Sequence, residues 1–183
     1  MMRSAKQAQS GAALIISLII LVILVIIGLA AMRTSLLEEK MAGNSRDMAL
    51  AFQAAETALR DAEAWLDAQT NDPLPTEDGN NRIWNSEQGD LDANWNNNLP
   101  WWQEPTRGTV WWQDNGVQYG ADITNVTTRP MTIIEYLVEI PDDQVIQDGN
   151  RDTGRSFYRI TARATGGSNQ SRVLLQSTVA KRY

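Results

Sequence analysis

GAALIISLIILVILVIIGLAAM, residues Gly11 to Met32, decides the fold of this 183-residue chain. No charged residue stands between Lys6 and Arg33, and Leu, Ile and Val dominate the positions after Gly11. At about 1.5 Å of rise per residue, residues 12–32 make a helix of roughly 32 Å, against a bilayer hydrocarbon core of about 30 Å. In lipid every backbone N–H and C=O needs a partner within the segment, and a helix supplies it. The stretch therefore reads as one membrane-spanning helix from which the rest of the chain is hung. Arg3 and Lys6 precede it with no acidic neighbour, so the positive-inside rule puts Met1 in the cytoplasm and residues 33–183 outside. A cleaved secretory signal has an apolar core of about 7–15 residues, and this run is longer. A lipoprotein signal needs a cysteine, and the chain has none.

Beyond Arg33 the pattern stays helical and becomes amphipathic. Met41, Met48, Phe52, Ala55, Leu59, Ala62 and Leu66 recur at helical spacing on one face, which is expected to cover a globular head. Glu56 and Arg60 stand four apart in the favourable order. Asn71, Asp72, Pro73 and Pro75 end the helix, because proline cannot continue it and turns the preceding residue away from α. The expected divisions are 1–11, a leader; 12–32, the apolar helix; 33–72, its amphipathic continuation; and 73–183, the head.

Composition narrows the function. With neither cysteine nor histidine, the chain has no thiolate or imidazole for metal binding, nucleophilic attack or proton transfer near neutral pH. No enzyme, cofactor or metal is expected. The net charge is −6, without a basic cluster, which argues against nucleic acid as a partner. Six of the seven tryptophans fall between Trp84 and Trp112, amid breakers such as Asp78-Gly79-Asn80-Asn81, Gln88-Gly89-Asp90 and Asn94 to Asn98. Aromatics this dense bury area in a core or an interface. Stacking on sugar rings also suits paired tryptophans. Local packing against helix and sheet is the preferred reading, because only one member of each adjacent pair can point inward from an extended segment. The outward members of Trp101, Trp102, Trp111 and Trp112 are then the candidate partner-binding residues.

The last third reads as sheet. Ile134, Tyr136, Val138 and Ile140 alternate up to Pro141; Tyr158, Ile160, Ala162 and Ala164 alternate opposite Arg159, Thr161 and Arg163; and Gly166-Gly167-Ser168-Asn169 turns the chain into Val173, Leu175 and Val179. Gly108 to Trp112 reads as a further strand. Helix plus meander gives an α+β head. Asp148, Asn150 and Asp152 alternate like the start of a calcium loop, but Thr153 stands where that loop needs Gly and Arg159 where it needs Glu. A polar strand connection is the preferred reading.

A short basic leader ending in Gly11 directly before an apolar helix resembles the start of type IV pilin-like proteins. The run LEEKMAGNSRDMALAFQAAETALR, Leu37 to Arg60, with Ser35-Leu36 ahead of it, resembles the PilX family, minor pilins of the type IV pilus. The resemblance implies cleavage between Gly11 and Ala12 by a prepilin peptidase, methylation of Ala12, and residence first in the bacterial inner membrane and later in the pilus at the cell surface. It implies the pilin fold, with other minor pilins, the major pilin and a tip adhesin-like protein as partners, and roles in priming assembly, adhesion and twitching motility. Two positions depart from ordinary pilins. Ile16 stands where a glutamate, fifth after the cut, is said to meet a neighbour's charged N-terminus, and Ala12 replaces the usual phenylalanine. Two readings of Ile16 stay open: a subunit without that carboxylate is most easily accommodated at a filament end, or the isoleucine simply raises membrane affinity. The tip pseudopilin of a type II secretion system shares that absence but carries a bulky extra domain. An uncleaved, singly anchored periplasmic binding module is the reading from another class.

Overall fold

The computed structural model describes residues 10–86, 90–92, 99–141 and 154–183. The basic residues Arg3 and Lys6, the Asn94–Asn98 run with Trp95, and the calcium-like Asp148, Asn150 and Asp152 lie outside the described residues. Helix α1 spans Ser10–Asp67; strand β1 is Ile83–Asn85, helix α2 Thr109–Asn115, and β2 Val117–Gln118. Three long strands follow, β3 (Met131–Pro141), β4 (Gly154–Thr165) and β5 (Arg172–Lys181). The chain forms two compact units, the first ending at Ser45 and the second running Arg46–Tyr183. The apolar run forms α1 in the first unit, where Ala12 onward is long and apolar enough to cross a membrane.

In the second unit the sheet has the order β1-β3-β4-β5, with β2 also paired to β3. β1 lies parallel to β3 and forms one parallel bridge from Trp84 to Thr76, while the pairings β2-β3, β3-β4 and β4-β5 are antiparallel. The result is an α+β arrangement of a long helix on a mixed five-stranded sheet. Residues 46–67 of α1 cover one face. The stripe they bury is Ala51, Ala54, Ala55, Ala58, Ala62 and Leu66, rotated away from the larger apolar residues. Met41, Met48 and Phe52, expected on that stripe, are exposed instead. Alanines let the helix axis approach the sheet closely, which a Phe or Met between them would prevent. Against the stripe sit Ile83, Ile134, Tyr158 and Ile160, with Val173 and Leu175 beside Ala54 and Ala55.

β3 departs from simple alternation. Its pairing with β4 shifts register between Tyr136 and Val138, so that Val138 pairs with Phe157 while Tyr136 pairs with Tyr158. One extra residue, Leu137, turns Val138 and Ile140 to the face opposite Tyr136, because side chains change face at every residue. The expected single face of Ile134, Tyr136, Val138 and Ile140 therefore breaks in the middle.

Both ends of the helix segment in the head are tied to the β4–β5 hairpin. The Asp47 carboxylate accepts from Ser168 N–H (3.0 Å) and Oγ (2.5 Å) in the turn, and these bonds, with one from Ser171, hold its pKa down at about 2. Gly166 in that turn lies so close to the Asp47 backbone that a Cβ would collide with it. At the other end, Lys181 Nζ donates to the carbonyls of Leu66 (2.7 Å), Asp67 (2.7 Å) and Gln69 (2.6 Å), at and just past the terminus where a helix runs out of internal N–H donors. A cation at this position also complements the negative end of the helix dipole. Lys181→Met is expected to lower head stability by about 1–3 kcal/mol, in the range for hydrogen bonds to a charged donor. Denaturant unfolding with unchanged slope checks it, and an unshifted midpoint would remove the cap's role.

Candidate functional site

Two surfaces are candidates for assembly contacts, each within its own unit. The first is the apolar part of α1. Gly11 and Ala12 fall in its first turn. From Leu14 to Leu29 every large apolar side chain is at least 48% exposed, so this helix has no protein partner within the described chain. Ile16 is exposed with the rest. The nearest polar side chain, Ser17, donates its hydroxyl to the Leu14 carbonyl at 2.9 Å, within its own helix. No carboxylate is present on this stretch to meet a positive charge.

The second surface is a tryptophan layer on the face of the sheet opposite α1. Trp84, Leu91, Trp101, Trp112, Met131 and Ile133 form one buried cluster, with Trp102, Trp111 and Leu174 partly buried around it. No α1 residue belongs to it, so the expected mini-core forms against the sheet alone. Trp101 lies at the centre, 5.7 Å from Trp102 edge to face, 5.6 Å from Trp111 and 5.7 Å from Trp112. Such tilted and edge-on pairs are favoured by the ring quadrupoles.

The adjacent pairs are not extended. Trp101-Trp102 lies in a 3-10 turn, Trp101–Gln103, and Trp111-Trp112 in α2. The expected strand at Gly108 to Trp112 is therefore a helix. Gly108 precedes it as N-cap, its carbonyl accepting from Trp112 N–H at 3.2 Å, and Gly116 closes it onto the Trp112 carbonyl at 2.9 Å. Helical turns set adjacent side chains about 100° apart, so one of each pair is buried and the other flanks it. Trp101 (3% exposed) and Trp112 (1%) are buried. Trp102 and Trp111 are the members with accessible surface. Gly79, at φ 67°, approaches the Trp84 ring where a Cβ would collide, so only glycine closes that turn.

Arginines complete the layer. Arg107 stands over Trp111 (4.5 Å), Arg159 over Trp102 (5.0 Å) and Arg163 over Trp112 (5.8 Å), each within cation–π range. Arg107 also donates to the Leu91 carbonyl at 2.8 Å and lies 3.9 Å from Glu104. Arg163 donates to Thr109 Oγ1 at 3.0 Å. Beneath the rings is Glu135, 2% exposed, opposite Arg159 on β4 and Trp84 on β1. Arg159 reaches it at 3.8 Å, while Glu135 Oε2 has no hydrogen-bond partner among the described residues. Burial raises the Glu135 pKa above the usual carboxylate range; Arg159 and the nearby Trp101 N–H oppose this only in part. Neither Glu135 nor the three arginines were singled out from the sequence as site residues. For Glu135, Arg159 and Arg163 the available signal was alternation on one strand face, Glu135 with Met131 and Ile133 and Arg159 with Arg163; Arg107, in a loop, carried none.

The pH consequence has a definite sign. A carboxyl whose folded pKa lies above its unfolded pKa holds more protons when folded, so the head loses stability as pH rises from the unfolded value through the folded one. Glu135→Gln is expected to remove that decline: melting temperatures of wild type and variant should diverge in favour of the variant from mildly acid to neutral pH. A parallel pair of curves would refute the burial of this charge.

Among the described residues no cluster of three or more His, Cys, Asp or Glu side chains is placed to hold a metal ion. Comparison with family models gives two matches. Residues 71–181 match a model described as Type IV pilus assembly protein PilX C-term, and residues 10–60 match one described as PilX N-terminal. No curated protein and no solved structure matches the chain.

Proposed function

Because the chain belongs to the PilX family and is a minor pilin associated with the type IV pilus, we propose that it primes filament assembly and sits at or near the filament tip, in support of adhesion and twitching motility. The observation that carries this reading is the exposed, carboxylate-free face around Ile16. Pilin assembly is held to pair a glutamate at that position with a neighbour's N-terminal charge. An unpaired charge in an apolar core is costly, so a subunit lacking the acid is accommodated best where one neighbour is missing. Before assembly the chain is anchored in the inner membrane by residues 12–32, with residues 33–183 periplasmic. Prepilin peptidase cuts between Gly11 and Ala12, leaving the apolar helix attached, and Ala12 carries the new, methylated N-terminus. The helix is the assembly interface shared with the major pilin. Trp102 and Trp111, at the accessible margin of the tryptophan layer, are the head's contacts to other minor pilins and a tip adhesin-like protein, with Trp101 and Trp112 holding them from beneath.

Sheared pili test both halves of the proposal in one sample. Mass spectrometry of the chain is expected to show loss of residues 1–11, and immunogold labelling is expected to mark filament ends. An intact Met1 would return the chain to the anchored binding-module reading. Label spread evenly along shafts would overturn the tip placement.

A further inference from the structure

The tryptophan layer is floored by a charge that the structure barely compensates. Glu135 stands on β3 between Trp84 on β1 and Arg159 on β4, in register with both. A carboxylate so buried has lost its water and needs close partners in exchange. Arg159 is 3.8 Å away, an ion pair too long for a good hydrogen bond. Oε2 meets no donor among the described residues. The Trp101 indole N–H beside it likewise meets no acceptor among them.

The charges around Glu135 come from few elements. β4 supplies Arg159, with Arg163 farther along over Trp112. The 3-10 turn Asp90–Asp92 brings Asp92, whose negative charge opposes ionisation of Glu135. β1 contributes the neutral Trp84, and β5 sets the neutral Thr178 opposite Arg159. Glu104, after the turn Trp101–Gln103, is turned to Arg107 (3.9 Å) and Thr106 (3.2 Å). Arg159 is thus the cation that answers Glu135, and it has a second task. Its guanidinium lies 5.0 Å from the centre of the Trp102 ring, while 30% of its side chain reaches solvent. One cation therefore serves both a buried acid and a tryptophan at the accessible margin. An ionised Glu135 pulls it inward; a neutral one does not, and water is open to it.

We propose that Glu135 is a proton-operated latch that acts through Arg159 on Trp102. Ionised, it holds the guanidinium inward and the indole seated. Protonated, it lets Arg159 turn to solvent and leaves Trp102 without its cation. Burial favours the neutral carboxyl, so the latch opens in milder acid than an ordinary glutamate would need. Glu135 is a positioning residue in this scheme, since it touches no partner itself. A head whose Trp102 contact weakens in acid is the consequence, and that consequence rests on the role given to Trp102 above. The latch itself does not.

The test uses the full chain in detergent, labelled with 5-fluorotryptophan, with the Trp102 fluorine resonance identified by its loss in Trp102→Phe. As pH falls from neutral, that resonance is expected to move in one step whose midpoint lies above the ordinary glutamate value of about 4.3. Glu135→Gln, which buries an amide in place of a charge, is expected to abolish the step and fix the resonance at its acid-side position. Arg159→Gln is expected to abolish the Trp102 step while a line from Trp84 or Trp101, both beside Glu135, still titrates. Asp92→Asn is expected to keep the step and lower its midpoint, because a like charge is gone. The proposal is overturned if Trp102 shows no step, or if the step survives Glu135→Gln. It is equally overturned if Asp92→Asn removes the step, which assigns the proton to Asp92, or if Arg159→Gln leaves it unchanged, which removes the relay. None of these readouts needs a partner or a filament, so a failed tip placement and a failed latch are told apart.

Discussion

Trp112→Ala is expected to destabilise the head by about 3–5 kcal/mol, the cost of emptying a buried indole site. Domains of ordinary size are stable by about 5–15 kcal/mol, so this one change removes a large share. Trp112 is buried at the base of α2, touches Trp101 at 5.7 Å and Trp111 at 6.0 Å, and lies under Arg163 at 5.8 Å. Neither main-chain clamp on α2 can refill the space, because the gap opens against the rigid strand bearing Met131 and Ile133. Trp102→Ala, at the accessible margin, is expected to cost about 1 kcal/mol, as most substitutions away from a core do. Calorimetry on the full chain separates the two: a melting point lowered by roughly 10–20 °C in the first variant and a few degrees in the second. Equal losses would mean that the tryptophan layer has no buried centre.

Ile20→Lys is expected to leave the chain in the membrane yet remove it from fibres. A lysine at a helix centre costs about 3 kcal/mol on insertion scales, whereas each Leu, Ile or Val contributes about −0.3 to −0.6. The thirteen other such residues between Ala12 and Met32 contribute about −4 to −8 kcal/mol together, so insertion survives. In lipid the lysine can also snorkel toward the headgroups, an escape that the packed interior of a filament lacks. Fractionation should therefore show wild-type amounts in membranes, while sheared fibres should lack the variant and surface pili should fall sharply if it primes them. Undiminished incorporation would sink the idea that this helix becomes part of a protein interior.

These two effects also mark what was legible beforehand. The apolar helix could be read directly: twenty-one residues without charge have few other solutions, and prolines 73 and 75 stand just beyond its end at Asp67. β4 and β5 were equally plain, since Tyr158 to Ala164 alternate without interruption. The buried stripe of α1 was legible only in part, at Ala55, Ala62 and Leu66. Alanines 51, 54 and 58 carry weak apolar signal next to Met48 and Phe52, although their small size is what allows close approach to the sheet. Leu137 escaped because a bulge has no periodic signature. α2 escaped because two adjacent tryptophans favour strand by propensity, while the glycines at both ends decide for a helix. The tryptophan layer was legible as a need for burial, but its arginine partners come from positions 107, 159 and 163, and Glu135 acquires its environment only when β1, β3 and β4 align.

Fastening the hairpin at both ends of one helix segment has a mechanical result. Any tension in the chain reaches the head through Arg46, one residue before the Asp47 clasp on Ser168, while Lys181 grips the far end at Leu66, Asp67 and Gln69. With the helix fixed at both extremities, a pull along it loads both clasps together instead of peeling them apart in sequence. Resistance to force is governed by the rate of crossing the unfolding barrier, so the head should hold under stretch far longer than either clasp alone.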